Sequence, residues 1–205
     1  MIKRVFDVIA SAILIVLFLP VFAFATIAIK CFSIGPVFFL QERIGKDGVP
    51  FVLFKFRTMN TFPTETGSLI TSSDDERITP VGKLLRKTKI DELPQLFNVL
   101  RGLMSLVGPR PEVGKYVNLY PESSRREVLS VAPGITGPTQ LRYRNEEELL
   151  AAESDPERYY LDVLLPAKLA SDIDYVRSRS LFGDIAIVLQ TMLIICERVF
   201  AKVVN

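Results

Sequence analysis

From Val5 to Ile29 the chain is apolar except at Asp7, Ser11, Pro20 and Thr26. Any fold must first find a place for this run. As one straight helix its 25 residues would reach roughly 37 Å, enough to cross a hydrocarbon layer about 30 Å thick. Pro20 prevents a straight helix. It lacks the amide that would bond back to Val16, and its ring crowds that carbonyl, so a kink is expected. The two arms are then about 22 Å and 14 Å long, and neither spans alone. Lys3 and Arg4 precede the run, while Lys30, Arg43 and Lys46 follow it, so positive charge sets no orientation. Two geometries satisfy these facts. One is a bent helix that enters a leaflet and returns to the same face, with Asp7 paired to Arg4 at headgroup level. The other is a kinked helix that spans. Ala23-Phe24-Ala25 also has the form of a leader cleavage site, although the apolar run continues past it. A buried soluble helix would need a core covering every side of it.

The rest of the chain allows one domain with this appendage: 205 residues, 49% hydrophobic, net charge +2, mean hydropathy +0.29. The charge singles out no partner and gives no reason to expect nucleic acid. There is no histidine, which removes the commonest general base and metal ligand. Proton transfer or metal binding then falls to Asp, Glu, Lys, Tyr or water. Cys31 and Cys196 are too few for a disulfide framework or a zinc site, and both lie in apolar stretches.

Residues 37–43 and 51–57 read as strands joined by turn chemistry at Gly45-Lys46-Asp47-Gly48. Alternation puts Lys55 and Arg57 on one face of the second strand. Asn60 to Pro80 reads as a long polar loop, of the kind that often forms a lid. A basic helix is expected over 81–90, carrying Lys83, Arg86, Lys87 and Lys89. Asp91 then reads as the N-cap of a helix over 93–100, with Pro94 in its first turn and Gly102 as its stop. Further helices are expected over 112–129 with interruptions, 146–152, 159–177 and 181–204, with tight turns at 108–111 and 133–138. The fold class is α+β, mainly helical, with a β-hairpin and amphipathic surface helices.

Chemistry centres on Asp91 and Glu92. An acidic pair at a helix start is commonly only a cap, but cations accompany this one. Lys55 and Arg57 project from one strand face, Arg110 sits between Pro109 and Pro111, and Arg86 precedes Asp91 by five residues. Fixed arginines suit phosphate oxygens. A carboxylate can attack phosphorus to give an acyl phosphate, and a divalent cation would offset the charge repulsion. Each feature also has a plainer reading. Lys55 and Arg57 would serve equally as a solvated strand face, and Lys83 to Lys89 as a contact with anionic lipid. Arg142 and Arg144 around Tyr143 are as consistent with solvated surface as with nucleotide contact. Asp74 and Asp75 fit a polar loop better than a metal site.

The blocks Lys55-Phe56-Arg57-Thr58-Met59, Asp91 to Leu100 (DELPQLFNVL), Met104 to Pro111 (MSLVGPRP) and Pro133-Gly134-Ile135-Thr136-Gly137 occur in that order. Together they resemble the bacterial sugar transferases, the small monotopic phosphoglycosyl transferases, over nearly the whole chain. The resemblance implies a re-entrant membrane helix over 1–34 and a catalytic domain over 35–205 on the cytoplasmic face of the bacterial inner membrane. It implies transfer of a phosphosugar from a UDP-sugar to undecaprenyl phosphate, with release of UMP and a requirement for Mg2+. Asp91 would be the nucleophile and Glu92 its partner in metal binding or proton handling. Lys55, Arg57, Arg110 and Arg144 would hold phosphate or nucleotide, and Arg86 would brace the pair. Asp172 and Asp184 would support the site. Membrane lipids, further copies of the chain and downstream glycosyltransferases are the implied partners. A non-catalytic membrane scaffold and an aspartyl-phosphate phosphatase are the competing functions. The chain departs from the family pattern at Leu19-Pro20 (often Ser-Pro), at Leu103 (often polar) and at Gln140-Leu141-Arg142-Tyr143-Arg144 (often Gln-Val-Asn-Gly-Arg).

Overall fold

The apolar run folds as two helices, α1 (Ile2–Leu17) and α2 (Leu19–Phe32), bent by 60° at Phe18. The computed structural model describes residues 1–60 and 75–200. Most of the expected 60–80 loop, with Asp74, lies outside them. Pro20 falls in the first turn of α2, where its missing amide breaks no helical bond. No single helix among the described residues is long and apolar enough to cross a membrane; the bent pair meets that test only jointly.

α1 is inverted relative to an ordinary amphipathic helix. Its fully buried residues are Asp7 and Ser11, whereas Ile2, Val5, Ile9, Ile13, Val16 and Leu17 are exposed. Asp7 does not pair with Arg4. Its carboxylate accepts from Ser105 Oγ at 2.9 Å and the Leu106 amide at 3.2 Å. Arg4 instead donates to the carbonyls of Val99 and Leu100 at 2.5 and 2.9 Å, at the C-terminal end of α4, where a cation is favourable. The headgroup pairing fails because both side chains have stronger uses inside the protein.

An antiparallel hairpin follows, β1 (Phe38–Ile44) and β2 (Pro50–Phe56), with Phe38 opposite Phe56 and Ile44 opposite Pro50. α3 (Pro80–Lys87) is capped by Thr79, whose Oγ1 accepts from the Gly82 amide at 2.9 Å. It ends earlier than expected because Lys89 adopts a left-handed conformation, φ +59°. The chain then makes a single 3-10 turn, Ile90–Glu92, before α4 (Gln95–Leu100). Asp91 is therefore not an N-cap. It sits inside the 3-10 turn, whereas a cap needs extended backbone, and its side chain makes no capping bond.

Two three-residue strands, β3 (Ser105–Val107) and β4 (Gly134–Thr136), pair in parallel, Ser105 with Gly134 and Val107 with Thr136. The expected turn at 133–138 is thus partly a strand. α5 (Gly114–Val117) and α6 (Glu122–Val128) lie between the two strands. After β4 come α7 (Pro138–Arg142), α8 (Glu146–Ala151), α9 (Pro156–Tyr159), a π-helical turn over Tyr160–Leu164, α10 (Leu165–Ser178) and α11 (Leu181–Phe200). The architecture is α+β and mainly helical, with two small sheets.

The main core gathers Phe51 and Leu53 of β2, Leu96 and Val99 of α4, Met104, Leu106 and Val107 of the β3 segment, and Tyr175 of α10. Phe6, Ala10, Leu14 and Ile15 of α1 pack against it, so the N-terminal helix shares its core with the segment that carries Asp91 and Glu92. Asn98 of α4 is wholly buried and binds the free edge of β2 twice. It accepts from the Phe54 amide at 3.0 Å and donates to the Val52 carbonyl at 2.7 Å.

Candidate active site

The 3-10 turn after Lys89 carries Asp91 and Glu92 into the interior, where they are 7% and 8% exposed. Two cations meet Glu92. Lys55 Nζ, on the same face of β2 as the buried Phe51 and Leu53, lies 3.1 Å from Glu92 Oε1. Arg110, from the Pro-flanked loop after β3, lies 3.5 Å from the same oxygen. That loop is fixed by the tight β3–β4 approach: a Cβ at Gly134 would stand 2.0 Å from the Gly108 nitrogen. Asp91 is different. Its Oδ1 is buried and has no hydrogen-bond partner among the described residues.

The electrostatics separate the two carboxylates. Burial pushes the Asp91 carboxyl up, and the adjacent Glu92 charge adds to this; Lys55 opposes both, leaving it raised to about 6. Burial also disfavours the Glu92 anion, but Lys55, Arg110 and Lys89 outweigh it and hold Glu92 well below the usual carboxylate range. Burial pulls Lys55 down, against the attraction of Glu92. Burial would lower Arg110 too, but Glu92, Glu146 and Glu112 hold it above its ordinary value. One carboxylate is thus a fixed anion in an ion-pair cluster. The other is desolvated and has an oxygen facing no donor among the described residues, which is the condition of an available nucleophile or ligand atom.

The chain matches the description of the bacterial sugar transferases over residues 1–198. It belongs to that family. It is 42% identical over 195 residues to the UDP-glucose:undecaprenyl-phosphate glucose-1-phosphate transferase of Caulobacter vibrioides, covering 93% of this chain and 68% of that protein. It is 40% identical over 195 residues to the UDP-N-acetylgalactosamine-undecaprenyl-phosphate N-acetylgalactosaminephosphotransferase of Aeromonas hydrophila, covering 93% of this chain and 43% of that one. The sugar transferase EpsL of Bacillus subtilis is 42% identical over 191 residues, at 93% and 85% coverage. The chain therefore spans well under half the length of some relatives and most of others.

In this sugar transferase the other expected site residues are dispersed. Arg57 turns away from Asp91 and Glu92. Its guanidinium donates to the carbonyls of Ser33, at 3.1 Å, and Ile34, and to Ser33 Oγ at 2.7 Å. It thus ties the end of α2 to the end of β2. Arg86 pairs with Glu147 Oε1 at 2.6 Å, and its charge still favours the Asp91 anion. Arg144 is exposed after α7 and has no hydrogen bond or ion pair among the described residues. Asp172 is buried and accepts from Thr139 Oγ1 at 2.6 Å, joining α10 to α7; burial raises its carboxyl to about 7. Asp184 is buried, accepts from Tyr175 OH at 2.8 Å and pairs with Lys3 Nζ at 2.5 Å, which locks α1 to α11. Asp75 pairs with Arg77 at 2.6 Å.

Sequence reasoning missed a second ionic cluster beside Arg110. Glu112 accepts from Tyr160 OH at 2.9 Å and pairs with Arg43 at 3.4 Å and Lys168 at 3.5 Å. Lys168 also meets Glu146 at 3.1 Å. Its negative members supply part of the field that holds Arg110 charged. Only the Glu112 that follows Pro111 carries a local signal, since its partners are far away in sequence.

For a divalent cation the donor set fits one mode of binding. No group of three or more His, Cys, Asp or Glu gathers among the described residues. Magnesium, however, is usually held by one or two carboxylates, water and substrate phosphate. The unpartnered Asp91 oxygen next to Glu92 suits that mode.

Proposed function

We propose that this sugar transferase moves a phosphosugar from a UDP-sugar to undecaprenyl phosphate through a covalent intermediate on Asp91. The observation that carries this reading is the asymmetry of the two carboxylates: Glu92 is doubly ion-paired, while Asp91 is buried with an oxygen that has no donor among the described residues. The names of the Caulobacter and Aeromonas relatives support the overall reaction. They name different sugars, so family membership carries the transfer and not the sugar.

In the first step an Asp91 carboxylate oxygen attacks the phosphorus that bears the sugar. The bond from that phosphorus to the bridging oxygen breaks, and UMP leaves with the oxygen. The sugar phosphate remains as an acyl phosphate on Asp91. In the second step an oxygen of undecaprenyl phosphate attacks the same phosphorus, and the Asp91 carboxylate leaves. Lys55 and Arg110, anchored on Glu92, place positive charge where phosphate oxygens gain negative charge. Asp91 and Glu92 would hold Mg2+, which would screen the diphosphate from the attacking carboxylate. Burial excludes water that would hydrolyse the adduct.

The reading includes a monotopic position on the cytoplasmic face of the bacterial membrane, with α1 and α2 as the re-entrant element over 1–34. What supports it is the bend together with the inverted α1: an aqueous surface rarely carries so continuous an apolar face. A soluble nucleotide sugar and a lipid phosphate can then reach one site.

The test is a single-turnover reaction with a panel of UDP-sugars, Mg2+ and no lipid acceptor. UMP is expected in an amount matching the enzyme, with sugar phosphate retained on the peptide that contains Asp91. Asp91→Asn is expected to abolish both. An adduct that persists in Asp91→Asn overturns the assignment.

A further inference from the structure

Lys89 is one of two non-glycine residues with positive φ among the described residues; the other is Asp47 in the hairpin turn. Aspartate tolerates that conformation through its short polar side chain, and lysine gains no such local bond. The position follows Thr88, the C-cap of α3, where glycine is the usual and least strained choice. A lysine here carries a conformational cost, and strain of this kind gathers at functional sites.

The strained residue also opens the turn that holds Asp91 and Glu92. Its amide donates to the Arg86 carbonyl at 3.2 Å, and its carbonyl accepts from the Glu92 amide at 3.2 Å. Its backbone is therefore fixed relative to both carboxylates. Lys83 and Lys87 of the same basic stretch are exposed, whereas Lys89 is half-buried. Among the described residues its ammonium has no hydrogen bond and no ion pair. It still lies close enough to both carboxylates to favour their anions. It is thus a cation near the pair but in contact with neither member. Lys55 and Arg110, by contrast, are already held on Glu92.

Building on the proposed phosphosugar transfer, we infer that Lys89 is a further phosphate-binding residue, contacting the phosphoryl oxygens of a substrate that lies against Asp91. Lys89 stands two residues before Asp91 on a backbone bonded to the Glu92 amide, its ammonium and the buried Asp91 Oδ1 both lack a partner among the described residues, and a phosphate group lying against Asp91 would satisfy the cation. The phosphate can come from the nucleotide diphosphate or from the lipid phosphate.

The experiment titrates the full chain in detergent with UDP and, separately, with a short-chain polyprenyl phosphate, by calorimetry. Lys89→Gln and Lys89→Gly are each expected to weaken binding roughly tenfold to a hundredfold, the loss of one charge-assisted contact, with Lys89→Arg restoring most of it. Weakening for UDP alone assigns Lys89 to the donor, for the lipid alone to the acceptor, and for both to a shared phosphoryl position. Lys89→Gly relieves the positive φ, so its melting temperature is expected to equal or exceed that of the parent. Unchanged binding of both ligands in Lys89→Gln overturns the inference, as does full binding in Lys89→Gly, which would reduce Lys89 to a backbone role. These titrations need no turnover. Binding that depends on Lys89 in a protein that never forms the Asp91 adduct would keep the phosphate site and sink the transfer mechanism.

Discussion

At Asp91 the burial that keeps the carboxylate free of donors also sets the pH at which it can attack. Its carboxyl is raised to about 6, so below that value the group is largely protonated and cannot act as a nucleophile. The value of kcat/KM for UMP release should therefore climb through an acid limb near 6 and level off above it. Glu92 is one cause of the elevation. Glu92→Gln should move the limb to lower pH even as it lowers the plateau, and Lys55→Met, which removes the opposing charge, should move it up. An acid limb near the ordinary aspartate value, or an upward shift in Glu92→Gln, would count against Asp91 as the titrating nucleophile. Much of this was readable in the chain: Asp91, Glu92, Lys55 and Arg110 stand in distinctive strings, and the structure brings all four together. Arg57 was not readable. Alternation places it on the same face as Lys55, but β2 stops at Phe56, and the freed guanidinium folds back onto the carbonyls of Ser33 and Ile34. Glu112 and Lys168 were equally hidden, since nothing local announces a pair 56 positions apart.

Between elements, the docking of α4 on the hairpin rests on one side chain. Asn98 bonds a carbonyl and an amide on the edge of β2 that β1 leaves open. This fixes the strand that carries Lys55 against the segment that carries Glu92. Asn98→Leu roughly keeps the volume of this buried side chain but leaves the Phe54 amide and the Val52 carbonyl without their partner. It should cost about 2–5 kcal/mol, read as a fall in melting temperature of roughly 5–15 °C. Activity should fall further than stability explains, because Lys55 loses its register with Glu92. A melting temperature within a degree or two of the parent would show that α4 is held by apolar packing alone. The hairpin itself was legible from its turn residues and alternating side chains, with each strand displaced by one residue. β3 and β4 were not, because three residues are too few to show a period and their pairing is made by partners far apart in sequence. Asp91 was misread as a cap because the left-handed Lys89, which turns the chain ahead of it, has no sequence signature in a lysine.

For the molecule as a whole, the inverted α1 turns its polar residues into the fold and leaves an apolar face exposed. A break near Pro20 was legible from backbone chemistry. That α1 would turn Asp7 and Ser11 inward and bind three separate elements through Lys3, Arg4 and Asp7 was not, because those contacts lie about a hundred residues or more away. The two faces predict opposite outcomes. Ile9 and Ile13 are 55% and 61% exposed and touch little of the protein, so Ile9→Glu combined with Ile13→Glu should leave the melting temperature in detergent almost unchanged. If that face lies in lipid, each charge adds about 2.5–3.5 kcal/mol to the cost of insertion, and the double variant should move from the membrane pellet to the supernatant on fractionation. Asp7→Leu should do the reverse. It leaves the Ser105 hydroxyl and the Leu106 amide without an acceptor, so the protein should lose thermal stability while its apolar outer face still partitions to membranes. A double variant that stays in the pellet at normal yield would mean that the exposed face of α1 does not hold the chain at the bilayer. The re-entrant assignment would then rest on α2 alone, whose exposed Leu19, Phe24, Ile27 and Phe32 form a shorter apolar surface.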